Sequence, residues 1–300
     1  MRAAARALRR FADAGPAQPT PAPPRPRLGW ALGGGFARGM AHIGVLKVLR
    51  ESSIPIDALA GVSAGGIAAA AFASGCTLEE MIATARKVRW RQFARWTLPR
   101  LGFATNERLE IMLQEMLHCT TFEELSVPLA VVATDISTGE AVVFRHGDLT
   151  RAIRASSAVP GLFAPVEHQG RPLVDGSIVC GVPAAALADF AVDKIVGVCL
   201  NSGQLHHRPT NFFQVVGQAF QIAEARSEVT WRPQCDLVIE PDVSQFTWDD
   251  FDRLEDFIAA GEAAARAALP RLRELLFAPA STPARAGTKA AAPATSIEPL

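Results

Sequence analysis

Residues 56–71 read IDALAGVSAGGIAAAA. The apolar run Ile56 to Val62 predicts a strand, and the small-residue run from Ala64 to Ser74 predicts a helix that can pack close to a sheet. Between them stands Ser63, with Gly61 and Gly65 two residues away on either side. A strand that turns sharply into a helix leaves no room for side chains beside the turning residue, so these glycines would let Ser63 sit exposed at the tip as a nucleophile. A small-residue turn with an incidental serine has the same spelling. The neighbouring segments decide between the two.

Upstream, Leu28 to Leu32 reads as a buried strand that ends in Gly33-Gly34-Gly35, and from Ala37 to Leu49 the apolar spacing becomes helical, with Met40, Ile43, Val45, Leu46 and Leu49 on the inward face. Strand, glycine loop, helix, strand, tight turn, helix is the alternation of a parallel α/β sheet. Downstream, a helix begins at Thr77 and another covers Asn106 to His118. Val127 to Asp135 and Glu140 to Phe144 read as strands. Leu149 to Ala155 reads as a helix ending at Ser156-Ser157-Ala158-Val159-Pro160-Gly161. Lys194 to Leu200 and Cys235 to Glu240 are further buried strands. Between them an amphipathic helix is expected to turn Phe212, Val215, Val216, Ala219 and Ile222 inward. Phe251 to Leu276 reads as a long final helix with Leu254, Ile258, Leu269, Leu272 and Leu276 inward, kinked or interrupted at Pro270.

The sequence has 300 residues, enough for a sizeable core, and its 30 basic residues balance 30 acidic ones. The balance is uneven. Residues 1–27 hold Arg2, Arg6, Arg9, Arg10, Arg25 and Arg27 against Asp13 alone, and the body between the two ends is mildly acidic, which argues against nucleic acid as a partner. Three regions are expected: a disordered basic and proline-rich arm (1–27), one folded domain (28–277) and a disordered tail (278–300). Five cysteines, Cys76, Cys119, Cys180, Cys199 and Cys235, are scattered without a C-x-x-C pair, which reads as free thiols in a reducing compartment rather than a disulfide framework or zinc site. No apolar stretch reaches membrane-spanning length. A cytoplasmic chain able to lie peripherally on a membrane is the expectation.

The glycine loop Gly33-Gly34-Gly35-Phe36-Ala37-Arg38-Gly39 has two rival uses: cradling a phosphate, or aiming N–H groups at an oxyanion. The phosphate reading fails in register, because Arg38 occupies the third glycine position of G-x-G-x-x-G and no G-K-[ST] follows. A serine nucleophile also needs a base. Only His206 and His207 follow Asp175 in the order of a Ser-Asp-His triad, and their polar surroundings match a late-chain catalytic histidine poorly. His42 reads as a helix residue, while His118, His146 and His168 lie in turn-like stretches with no metal-type partner nearby. Among carboxylates, Asp175 follows the apolar Leu173-Val174 and precedes Gly176. It is either a turn-forming D-G or the partly buried partner of Ser63. Asp135 is the rival, in a setting that reads as a hairpin turn.

Taken in order, GGGFARGMAHIGVLKVL, IDALAGVSAGGIAAA, AIRASSAVPGLFAPV and PLVDGS resemble the patatin-like phospholipase family, especially its short bacterial members, over Leu28 to Leu276. The resemblance implies a three-layer αβα fold around a central, mostly parallel sheet and a Ser-Asp dyad without histidine. Ser63 would be the nucleophile, Asp175 its base, and Gly33, Gly34 and Gly35 with Arg38 the oxyanion loop, acting on a lipid ester without metal or cofactor. One departure is Ser177, where many members carry Gly or Ala; its hydroxyl would compete for Asp175. The arm and the tail lie outside the match. Two other readings stay open: an α/β-hydrolase triad esterase, and a non-catalytic lipid-binding protein on the same fold.

Residues 85–103, ARKVRWRQFARWTLPRLGF, interleave six cations with Trp90, Phe93, Trp96 and Phe103 and hold no acid. Such a stretch suits a lipid interface, or else a helix that buries its aromatics and solvates its arginines.

Overall fold

In the computed structural model the described residues are 25–88, 104–200, 208–210 and 212–277, together with the backbone of 95–96 and 295–296. The strands are β1 (Leu28–Leu32), β2 (Ala58–Val62), β3 (Leu129–Asp135), β4 (Ala141–Phe144), β5 (Val166–His168), β6 (Arg171–Asp175), β7 (Lys194–Val198) and β8 (Leu237–Ile239). The helices are α1 (Ala41–Glu51), α2 (Ala64–Ala73), α3 (Leu78–Lys87), α4 (Glu107–Met116), α5 (Leu149–Ser156), α6 (Phe212–Trp231) and α7 (Leu254–Phe277). Arg95–Trp96 and Ala104–Thr105 form a small separate antiparallel pair. Thr295–Ser296 pairs parallel with β4.

The sheet runs β8-β7-β1-β2-β3-β4, parallel from β8 to β3 and antiparallel between β3 and β4. Every residue of β1, β2 and β3 is buried, as continuous apolar strands covered on both faces require. Leu28, Trp30 and Leu32 point to a thick helical layer that includes α1, α2, α5 and α7. Ala31, Ala58, Ala60 and Ala130 point the other way, against a 3-10 segment (Ala184–Phe190) and Trp231 at the end of α6. Small side chains on that face let the thinner cover sit close, and the architecture is the expected three-layer α/β fold.

One feature of the register positions the site. β3 pairs with β4 along one edge through Val131 to Thr134. On its other edge β2 pairs parallel up to Val62↔Val132, and β6 pairs antiparallel from Asp175↔Ala133 to Asp135↔Leu173. β2 and β6 therefore run toward each other along the same edge and stop at adjacent partners. The residues at their ends, Ser63 and Asp175, are brought head to head although they stand 112 positions apart in the chain.

Three local expectations change. The helix after the glycine loop opens as a 3-10 turn, Phe36–Met40, before α1 begins. α7 runs through Pro270 without interruption. On α6 the expected inward face is mostly outward: Phe212, Val215 and Ile222 are exposed, while Gly217, Glu224 and Trp231 are buried and Val216 and Phe220 pack against the core. Period and composition alone cannot say which side of such a helix meets the body.

Candidate active site

Ser63 occupies the turn between β2 and α2 at φ 51° and ψ −124°. A non-glycine residue held there costs about 1–3 kcal/mol and persists only where its surroundings enforce it. They do so on two sides. A Cβ on Gly65 would collide with Leu32 O, so α2 can start this close to β1 only with glycine at that position. The Ser63 N–H donates to Ser156 Oγ at 2.9 Å, and Ser156 Oγ–H donates to Val132 O at 2.6 Å, tying the elbow to the end of α5 and to β3. Ser63 is only 8% exposed rather than free at a tip, because helices and the glycine loop wall it into a cavity.

Asp175 is fully buried. Its N–H donates to Ala158 O at 2.9 Å, its Oδ1 accepts Ser177 N–H at 2.9 Å, and its Oδ2 has no hydrogen-bond partner. The segment Ser156-Ser157-Ala158 thus braces Ser63 at one end and Asp175 at the other, a role its spelling does not disclose. Burial pushes the Asp175 carboxyl up to about 6, while the Ser177 N–H and the Ser63 and Ser177 hydroxyls pull it down. Ser63 lies near enough to exert that pull, although no hydrogen bond of normal geometry joins the two side chains. The Ser177 hydroxyl, the expected competitor, is likewise without a hydrogen bond.

The glycine loop is held from behind. Gly33 N–H donates to Val198 O at 3.0 Å and Gly34 N–H to Gly181 O at 3.2 Å, so these two donors, expected in an oxyanion hole, are already engaged. The N–H groups of Gly35 and Phe36 have no partner among the described residues. His42 is fully buried and its Nε2–H donates to Gly33 O at 2.8 Å, which fixes the tautomer; burial holds its pKa near 4, so it braces the loop as a neutral ring. Arg38 is 3% exposed with Nε 3.5 Å from Gly35 O. Burial depresses its guanidinium while Glu224, arriving from α6, supports the charge. Glu224 is a buried carboxylate that no motif marked. Its signal was available only as an acid at the inward position of an otherwise apolar turn.

The rival Asp135 is committed elsewhere. Its Oδ2 accepts Arg171 Nε at 2.6 Å and its Oδ1 accepts Ser137 N–H at 2.8 Å, closing the β3–β4 hairpin. In front of Ser63 the cavity is walled by Met40, Ile67, Met81, Leu109, Met112 and Phe163 among others; Ser63, Thr84 and Ser157 are its hydroxyls, and no charged side chain among the described residues lines it.

These elements coincide with a sequence family. A family model described as "Patatin-like phospholipase" matches residues 31–188. The chain belongs to the patatin-like phospholipase family. An uncharacterized NTE family protein of Mycobacterium tuberculosis is 38% identical over 182 residues, 60% of this chain and 50% of its own. A second from the same organism is 30% identical over 276 residues, 83% of this chain and 47% of its own. The chain spans about half the length of these curated relatives. Among solved structures, VipD from Legionella pneumophila aligns with a TM-score of 0.50 at 13% identity, covering 83% of this chain and 67% of that one, a likeness of fold.

His206, His207 and most of 85–103 lie outside the described residues, as do the arm through residue 24 and nearly all of the tail. One metal-type grouping was not foreseen: Cys76, Glu80 and His118 bring one donor atom each within 4.8 Å of one another. Each also has a local occupation. The Cys76 thiol donates to Met116 O, Glu80 closes the capping box with Thr77 at the start of α3, and His118 faces Glu80 at 3.4 Å.

Proposed function

We propose that the protein is a serine lipid acyl hydrolase of phospholipase A or esterase type, with Ser63 as nucleophile and Asp175 as its base. The observation that carries this reading is the meeting of Ser63 and Asp175 at adjacent positions along β3, on the wall of an apolar, uncharged cavity suited to an acyl chain. Above about pH 6 the partnerless Oδ2 of Asp175 is free to take the Ser63 proton as Oγ attacks the ester carbonyl. The oxyanion is received by the Gly35 and Phe36 N–H groups, one residue further along the loop than the glycine triplet implies, under the positive field of Arg38. Gly33 and Gly34 support that loop through their own backbone bonds. Asp175 returns the proton to the departing alkoxide, then activates the water that releases the acyl group from Ser63.

Lipid arrival through the basic, aromatic stretch 85–103 belongs to the same reading, with the protein cytoplasmic and peripheral on the membrane. No helix among the described residues is long and apolar enough to cross one. Co-sedimentation with liposomes that requires anionic lipid and weakens in salt supports this arrival route; indifference to both counts against it.

A fluorophosphonate probe tests the core of the proposal. Wild type is expected to be labelled at Ser63 and to release fatty acid from phospholipid vesicles, while Ser63→Ala does neither. An unlabelled, inactive wild type would instead favour a lipid-binding protein.

A further inference from the structure

Helix α6 sends one carboxylate into the interior behind the glycine loop. A Cβ built on Gly34 would collide with Ser177 Oγ and lie 3.1 Å from Glu224 Oε1, and one built on Gly181 would lie 2.9 Å from Glu224 Cγ. Gly34 is thus bare because Ser177 and Glu224 occupy the place a side chain would need. Glu224 is 6% exposed, and its carboxyl makes no hydrogen bond or ion pair among the described residues. A buried acid with neither is expensive to ionise, so its uncharged form is favoured.

The groups around it divide by sign. From the 3-10 turn after the glycine loop comes Arg38; from the end of β6 comes Asp175 and from the turn after it the Cys180 thiol; Cys199, past the end of β7, lies within the field of Arg38. Its own helix adds Arg226, which is exposed, and Glu228, which is paired with Arg232. Arg38 is the one buried cation of the cluster, and Glu224 draws on it.

We propose that Glu224 is a positioning residue of this reaction that works uncharged, leaving the field of Arg38 to the oxyanion loop, and whose ionisation turns the site down from behind. The proposal rests on the Ser63–Asp175 reading. A negative charge against Gly34 repels the oxyanion forming at Gly35 and Phe36 and cancels part of the Arg38 field. The same charge strengthens Asp175 as a base, but only a Brønsted fraction of that gain reaches the transition state. Burial and the nearby Asp175 raise the Glu224 carboxyl against the pull of Arg38, and with two buried acids sharing one neighbourhood the second proton leaves the pair at higher pH than the first.

The test is the pH dependence of kcat/KM from pH 5 to 9 on a short-chain nitrophenyl ester, with the rate of fluorophosphonate labelling as a second readout. Wild type is expected to rise through about pH 6 and to fall above about 7, by about tenfold or more at pH 9. Glu224→Gln keeps the rise and holds its plateau to pH 9, and Glu224→Met, which fills the space without charge, does the same should the amide not fold. A wild-type profile that stays flat above pH 7, or a fall that persists unchanged in either variant, overturns the proposal. Failure of the underlying reading looks different: no turnover at any pH and no label on Ser63.

Discussion

Two walls meet at Ser63, and they are built from opposite materials. In front, the cavity wall of Met40, Ile67, Met81, Leu109, Met112 and Phe163 carries no charge among the described residues. Behind the glycine loop lie Arg38, His42, Asp175 and Glu224, each at most 6% exposed. Neither wall suffices alone. An apolar wall can hold a chain of methylenes but cannot stabilise an oxyanion, whereas charged groups buried at the substrate's face would have to be desolvated against its tail. The separation would let a low-dielectric site have polar machinery without presenting it to the proposed lipid substrate. It would also account for the groups behind the loop that are left short of partners, since full neutralisation would remove the field the proposed reaction needs.

The sharpest way to break this division is to remove the proposed base. Asp175→Asn is expected to lower kcat by about 10²- to 10⁴-fold while raising stability at neutral pH. The native pKa of Asp175 lies above its unfolded value, so its contribution to stability is fully present below about pH 4 and is lost as pH rises through about 6. At pH 8 the asparagine variant should therefore unfold later than wild type by up to about 3 kcal/mol, with the gap closing at pH 4. Denaturant melts at the two pH values check the sign.

Next in size is the brace between the walls. Ser156→Ala leaves both the Ser63 N–H and Val132 O unpaired in the interior. A loss of about 1–3 kcal/mol in stability is expected, with about 10- to 100-fold in kcat from misplacing Ser63. Rescue of both by Ser156→Thr, which keeps the hydroxyl, would tie the effect to that hydrogen bond. On the apolar side, Met112→Trp should fill the cavity from α4 and cut kcat/KM for a long acyl ester by about tenfold relative to a butyrate ester; equal losses on both would mean that the chain lies elsewhere. The smallest effect is expected at Asp135→Asn, which opens the contact with Arg171. Turnover should stay within about twofold, while stability falls by about 1–3 kcal/mol.

Much of this was legible as letters, and for identifiable reasons. The elbow and the D-G turn announce themselves because close backbone approach tolerates only glycine, and the residue type is the signal. The buried strands announce themselves as continuous apolar runs. What could not be read was direction and partnership. The outward stripe of Phe212, Val215 and Ile222 and the inward Glu224 share one helix, and only the packing of Gly217 on Trp248 and of Gly181 on Glu224 shows which side faces the body. Similarly, three adjacent glycines suggest three donors, but Val198 O and Gly181 O claim two of them from strands and turns far along the chain.

The sequence by itself determined the α/β alternation, the glycine-bounded serine and the carboxylate at a strand end, because each rests on local sterics and on apolar periodicity. Tertiary structure alone decided that β2 and β6 meet end to end on β3, that Ser156 and Ala158 hold both sides of that junction, and that His42, Arg38 and Glu224 gather behind the loop. Apart from the local contacts of Arg38 and His42 with the loop, those join residues from 17 to more than a hundred positions apart. No local rule of spacing carries them, because they depend on which edges and faces the completed sheet brings together.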